Sequence, residues 1–198
     1  MGIIILPLML LYLLLLIWAT WQGWRWGKKQ KNASGDKRWL GATIGFLIIY
    51  LPVLWDWLPT VVVHQYYCAK DSGFWVYKTL DQWKAENPGV METLVTKKVW
   101  PHQRINGKDV AIINQRMRLI YGERDELFLH RWPDIRELVD AKNNDVLARY
   151  VDFSTSQEQG HAGWSGWKFW LHSESCTVGR SAAIKFGNYY LQFKGAEK

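Results

Sequence analysis

The feature that most restricts this chain is an uncharged run near its start. Ile3 to Trp21 reads Ile-Ile-Ile-Leu-Pro-Leu-Met-Leu-Leu-Tyr-Leu-Leu-Leu-Leu-Ile-Trp-Ala-Thr-Trp without one charged side chain. At about 1.5 Å per residue, a helix of this length covers a hydrocarbon core of about 30 Å. The run reads as a retained transmembrane helix rather than a cleaved leader. It has no basic residue before it, it exceeds the roughly 7 to 15 apolar residues of a signal peptide, and no Ala-x-Ala follows it. A second run, Leu40 to Val63, predicts a second membrane helix, with Gly41 and Gly45 four residues apart on one face. That spacing allows another helix to approach closely. Helix 1 is the nearest partner, and a second copy of the chain is the other.

Between the two runs lie Arg25, Lys28, Lys29, Lys31, Lys37 and Arg38 against one acid, Asp36. Short basic loops stay on the cytoplasmic side, so loop 22–38 is expected there, and the N-terminus and everything after the second helix outside. Cys68 and Cys176 are the only cysteines. Neither belongs to a Cys-x-x-Cys pair, so a single structural bridge in an oxidising compartment is the expectation. Asp56 interrupts the second run between Trp55 and Trp57. Counted from Trp39 it falls about 25 Å along a helix, which predicts a solvated carboxylate at the outer interface.

Charge separates the two parts. Residues 1–63 hold six Lys+Arg and two acids, whereas residues 64–198 hold 19 Lys+Arg and 16 Asp+Glu. The expected organisation is therefore a two-helix transmembrane anchor over 1–63 and an extracytoplasmic, periplasmic α+β domain over 64–198. The net charge of +7 is spread over both parts with no basic tract after Lys31, which argues against nucleic acid as a partner.

Within the outer part, the aromatic run after His64 suits a short strand, and Thr79 three residues before Gln82 opens a helix to about Glu86, ended by Asn87-Pro88-Gly89. Val90 to Lys98 suits a further short helix. From Asn106-Gly107 the period falls to two. Val110–Tyr121, Glu126–Trp132, Leu138–Lys142, Val146–Phe153, Trp167–Cys176 and Tyr189–Lys194 read as strands, with turns at Asn106-Gly107, Gly122 and Asn143-Asn144-Asp145. The fold class is a membrane-anchored α+β protein: two N-terminal transmembrane helices, then a small, mainly antiparallel β domain with short helices.

The block from Cys68 to Lys78, with Trp83 and Asn87-Pro88-Gly89, resembles a block in membrane-anchored proteins of proteobacteria that carry a C-terminal periplasmic domain and have no assigned activity. The resemblance implies a bacterial inner-membrane protein and no particular chemistry.

No catalytic set emerges. The five histidines lack metal-ligand spacing, so no metal or cofactor is expected. Ser165-Gly166-Trp167-Lys168 matches Ser-x-x-Lys, but it sits among glycines and lacks the companion motifs. His130, His172, Asp152 and Glu174 are the acid–base candidates for an alternative reading, a periplasmic enzyme acting on cell-wall or lipid-linked material. The preferred reading is a non-enzymatic module that binds another envelope protein or an incoming one, as an assembly accessory subunit or an immunity or exclusion factor. Trp164, Trp167 and Trp170 in the Gly-Trp segment, with Phe74 and Trp75, form the candidate binding surface. Such aromatic side chains are typical anchors of interfaces.

Overall fold

The computed structural model describes residues 2–29, 37–157, 168–173 and 175–197. Helix α1 spans Gly2–Lys29, and its stretch from Leu6 to Lys29 is long and apolar enough to cross a membrane. Helix α2, Arg38–Leu54, returns antiparallel against it. Small residues set the approach: a Cβ added at Gly41 would collide with the Gly23 carbonyl, and one at Gly45 with that of Ala19. Tyr12 Oη completes the contact by donating to the Ile49 carbonyl oxygen at 3.1 Å. Gly41 and Gly45 thus pack within the chain, on partners (Gly23, Gly27, Ala19) that sequence reasoning did not single out.

The second apolar run is not one straight helix. It breaks after Leu54, and α3, Trp57–Asp71, continues at a bend of 64° to α2. Two prolines explain the break. Pro52 lacks an N–H for the last turn of α2, and a continuous helix would drive the Pro59 ring into the Trp55 carbonyl. Helix α3 also runs straight through His64, where a change to strand was expected, so the expected boundary between residues 63 and 64 falls inside a helix.

Strand β1, Gly73–Val76, follows immediately. Helix α4, Leu80–Glu86, opens with the expected reciprocal cap between Thr79 and Gln82. Val90–Lys98 is not a helix: a 3-10 turn at Met91–Thr93 leads into β2, Val95–Thr96. Then come β3 (His102–Ile105), β4 (Lys108–Ile112), β5 (Met117–Tyr121), β6 (Arg131–Asp140) and β7 (Asp145–Thr155). Asn106 and Gly107, with φ of 51° and 81°, make the tight β3–β4 turn. A six-stranded antiparallel sheet results, in the order β1-β7-β6-β5-β4-β3.

Two expected strands are absent. Glu126–His130 is irregular, with Leu129 and His130 both in the left-handed region, and β6 starts only at Arg131. The first half of Tyr189–Lys194 belongs to helix α5, Thr177–Leu191, and Ala182, Phe186, Tyr189 and Phe193 recur every three or four residues and all enter the core. In the third, Trp167–Cys176, the described part is a 3-10 turn at Phe169–Leu171 and a single bridge from Ser173 to Thr155. A terminal β8, Ala196–Glu197, pairs in parallel with β2.

The core lies between α5 and one face of the sheet. Phe186 stacks on Tyr150 and meets the edge of Phe74, and Trp83 is buried against Phe193. At one end of the opposite face α3 covers Val151 and Phe153, where Cys68 is bonded to Cys176. The bridge joins the last turn of α3 to the residue before α5 across a sequence separation of 108.

Candidate functional site

Strand alternation sorts the candidate surface. Phe74 points into the core, on Phe186 and Tyr189. Trp75, its neighbour, stands on the other face and is 39% exposed. Directly paired residues share a face, so the ladder places Trp75, Arg149, Glu137 and Ile120 in one row across β1, β7, β6 and β5. Arg149 Nε lies 3.5 Å from Glu137 Oε1 within it. Ile135 stands in the next row on this face, paired with Val151, and Phe153 in the row beyond, paired with Pro133. Two adjoining hollows lie over these residues. One of about 340 Å³ is edged by Lys70, Trp75 and Tyr77, and one of about 480 Å³ by Lys108, Glu123 and Asp125. Ile135, Arg149 and Phe153 line both, so they form one groove whose shared lining is two apolar side chains beside the Arg149–Glu137 pair, with charged ends.

The second concentration of functional groups lies beneath α3. Asp56, Thr60 and His64 recur every four residues on one face of the helix, and all three are buried. Asp56 is 0% exposed, which overturns the expected solvated carboxylate. Its Oδ2 accepts Lys168 Nζ at 2.6 Å, with His130 Nε2 at 3.8 Å, and His130 Nδ1 lies 2.8 Å from Glu126 Oε1. Burial explains the pairing, because an isolated carboxylate taken from water would cost far more than a compensated one. Leu129 and His130 hold an unfavourable backbone to bring the imidazole there. Arg131 is buried with its guanidinium 3.5 Å from the Tyr67 ring centroid and 5.3 Å from that of Phe153. Stacking on two rings compensates part of that charge.

Beside this seam a cavity of about 540 Å³ is lined by Thr60, His64, Gln65, Trp170, His172 and the disulfide, among others. His64 Nε2 lies 3.4 Å from Cys68 Sγ. His64, Cys68 and Cys176 are close enough to hold a metal ion. Both sulfurs, however, are committed to one another, and the thiolate is the form that ligates.

The acid–base candidates are not brought together. His130 faces Asp56 and Glu126, while His172 lines the cavity. Asp152 is spent on structure: it accepts from the Phe153 and Cys176 backbone N–H groups and from Tyr150 Oη. Burial raises its carboxyl above the ordinary range despite those donors. Lys168, the lysine of Ser-x-x-Lys, is held by Asp56. Trp170 is half-buried on Phe169 at the cavity wall. Trp164, Trp167, Ser165 and Glu174 lie outside the described residues.

The polar face of α3 was missed in the sequence, although Asp56, Thr60, His64 and Cys68 at four-residue spacing were there to find it. No protein-family model, curated protein or solved structure matches the chain.

Proposed function

We propose that this protein is a recognition module anchored in a bacterial inner membrane. In this reading α1 and α2 hold it in the bilayer, the basic segment 22–38, whose first eight residues are the end of α1, lies in the cytoplasm, and the α+β domain stands in the periplasm. There it binds another envelope protein, or an incoming one, through the open face of its sheet. The apolar length of α1, the basic loop and the Cys68–Cys176 bridge support the placement.

One observation carries the binding reading: the face of the sheet turned away from α5 bears a continuous groove floored by Ile135 and Phe153 and edged by an exposed Trp75. Apolar side chains beside an aromatic anchor, with charged ends, are the anatomy of a protein interface. Among the described residues, His130 faces Asp56 and Glu126, Asp152 is held by the Phe153 and Cys176 N–H groups, and His172 lines the cavity, which favours recognition over turnover.

Photo-crosslinking in intact cells tests this. A benzophenone side chain at Trp75 or Tyr77 is expected to give a discrete protein adduct, and one at Ile184 on the outer side of α5 is not. Adducts in unchallenged cells would indicate an assembly subunit; adducts appearing only on exposure to a toxin or phage would indicate an immunity or exclusion factor. Equal labelling from all three positions, or none from the groove, would refute the reading.

A further inference from the structure

Helix α3 is amphipathic in an inverted sense. Its buried face is the polar one, carrying Asp56, Thr60 and His64 against the domain. Its open face carries Trp57, Leu58, Val61, Val62 and Tyr66, all exposed, with Leu58 at 54% and Val62 at 57%. Soluble helices show the opposite arrangement, because an apolar stripe facing water loses the stabilisation that burial provides.

We infer that α3 lies in the outer leaflet of the membrane, with this stripe among the lipid acyl chains and its polar face holding the domain. The inference rests on the anchoring proposed above. Continuity singles out lipid as the occupant. The stripe begins where the exposed apolar surface of α2 ends, with only Trp55 and Asp56 between the two helices. At 17 residues, α2 alone reaches about 25 Å, so its end falls near the far edge of a hydrocarbon core of about 30 Å. The bend of 64° then turns α3 closer to the membrane plane than to its normal. Trp55 and Trp57 flank the bend, and Tyr66 with Lys70 closes the stripe, residue types that settle at headgroup level. An in-plane helix with an apolar underside and aromatic flanks is the form that interfacial anchors take.

The test uses the full chain with its native disulfide, reconstituted into phosphatidylethanolamine–phosphatidylglycerol vesicles. One nitroxide is attached through a cysteine at a time: V62C or L58C on α3, I48C on α2, and V99C on the domain surface. Collision with oxygen, which partitions into lipid, is compared with collision with a water-soluble nickel chelate. V62C and L58C are expected to favour oxygen, at a shallower depth than I48C, while V99C favours nickel. If V62C and L58C match V99C while I48C stays in lipid, the α3 inference fails and the anchor stands. If I48C also favours nickel, the anchor itself fails. Shielding of V62C and L58C from both reagents would mean that protein covers the stripe, and this too would overturn the inference.

Discussion

Asp140→Asn should unfold the domain markedly earlier, and the structure gives the reason atom by atom. Oδ1 accepts Arg116 Nε at 2.9 Å and the Lys142 N–H at 3.0 Å; Oδ2 accepts Arg116 Nη2 at 2.6 Å and Trp83 Nε1 at 2.8 Å. Each oxygen takes two donors. Whichever way an asparagine amide is turned, its NH₂ therefore confronts two other donors, and two charge-assisted bonds are lost with the ion pair. At the low end of about 1.5 kcal/mol per bond, the cost is about 3 kcal/mol, which meets the lower bound for breaking a buried pair. The lower bound is appropriate because the Arg116 side chain keeps 15% exposure and can recruit water. For a domain of this size that is a fall in Tm of about 10 °C, read by near-UV circular dichroism of the full chain in detergent.

The pH dependence adds a second signature. Burial alone would raise the Asp140 carboxyl, but Arg116, Trp83 and the Lys142 N–H outweigh it and hold the pKa below its ordinary value. A depressed native pKa contributes stability above the unfolded value, near 4, and loses it as pH falls through the folded value. The gap between wild type and D140N should therefore be full at pH 7 and narrow below about pH 4. A Tm drop under about 3 °C at pH 7, or a gap unchanged at pH 3, would refute the reasoning.

Other expectations follow from the same contacts. Asp152 has the opposite sign, its native pKa being raised by burial, so wild type loses stability as pH rises through that value; D152N should match wild type in acid and exceed it at pH 7 and above in urea titrations. Replacing Cys68 and Cys176 by serine opens a loop of separation 108, which should cost about 4 to 5 kcal/mol by chain entropy; the urea midpoint should fall and cease to respond to reductant. Gly41→Ile places a branched side chain against the Gly23 carbonyl, an overpacking of about 1 to 3 kcal/mol. A bismaleimide bridge between Y12C and I49C should then form in lower yield than with Gly41 intact.

Signals that act over a few residues were legible in the sequence. The Thr79–Gln82 cap, the Asn106-Gly107 turn and the uncharged run of α1 each depend on neighbours, and each reads as the structure has it. The bend between α2 and α3 was also written locally, in Pro52 and Pro59, but the hydropathy of Leu40–Val63 outweighed it. For α5, the short run Tyr189–Lys194 suggested a strand, while the helical recurrence from Ala182 to Phe193 shows only over a longer window. What sequence spacing did not reveal is pairing at a distance. That Trp75 would sit beside Arg149, Asp56 beside Lys168, and Gly41 beside Gly23 depends on sheet order and helix return. Without sheet order, Phe74 and Trp75 could not be divided between core and surface.

The bridge between Cys68 and Cys176 also decides how the domain would respond to being pulled. Helix α3 leads through Ser72 directly into β1, an edge strand of four residues paired only with β7. Tension arriving along the backbone would peel that strand away one pair at a time, the weakest way to load a sheet. The disulfide takes up the load five residues earlier, at Cys68, and delivers it to the start of α5, whose Ala182, Phe186 and Tyr189 are embedded in the core. Tension between α3 and the sheet would then work against the whole core in shear, and peel β1 like a zipper only where the thiols are free.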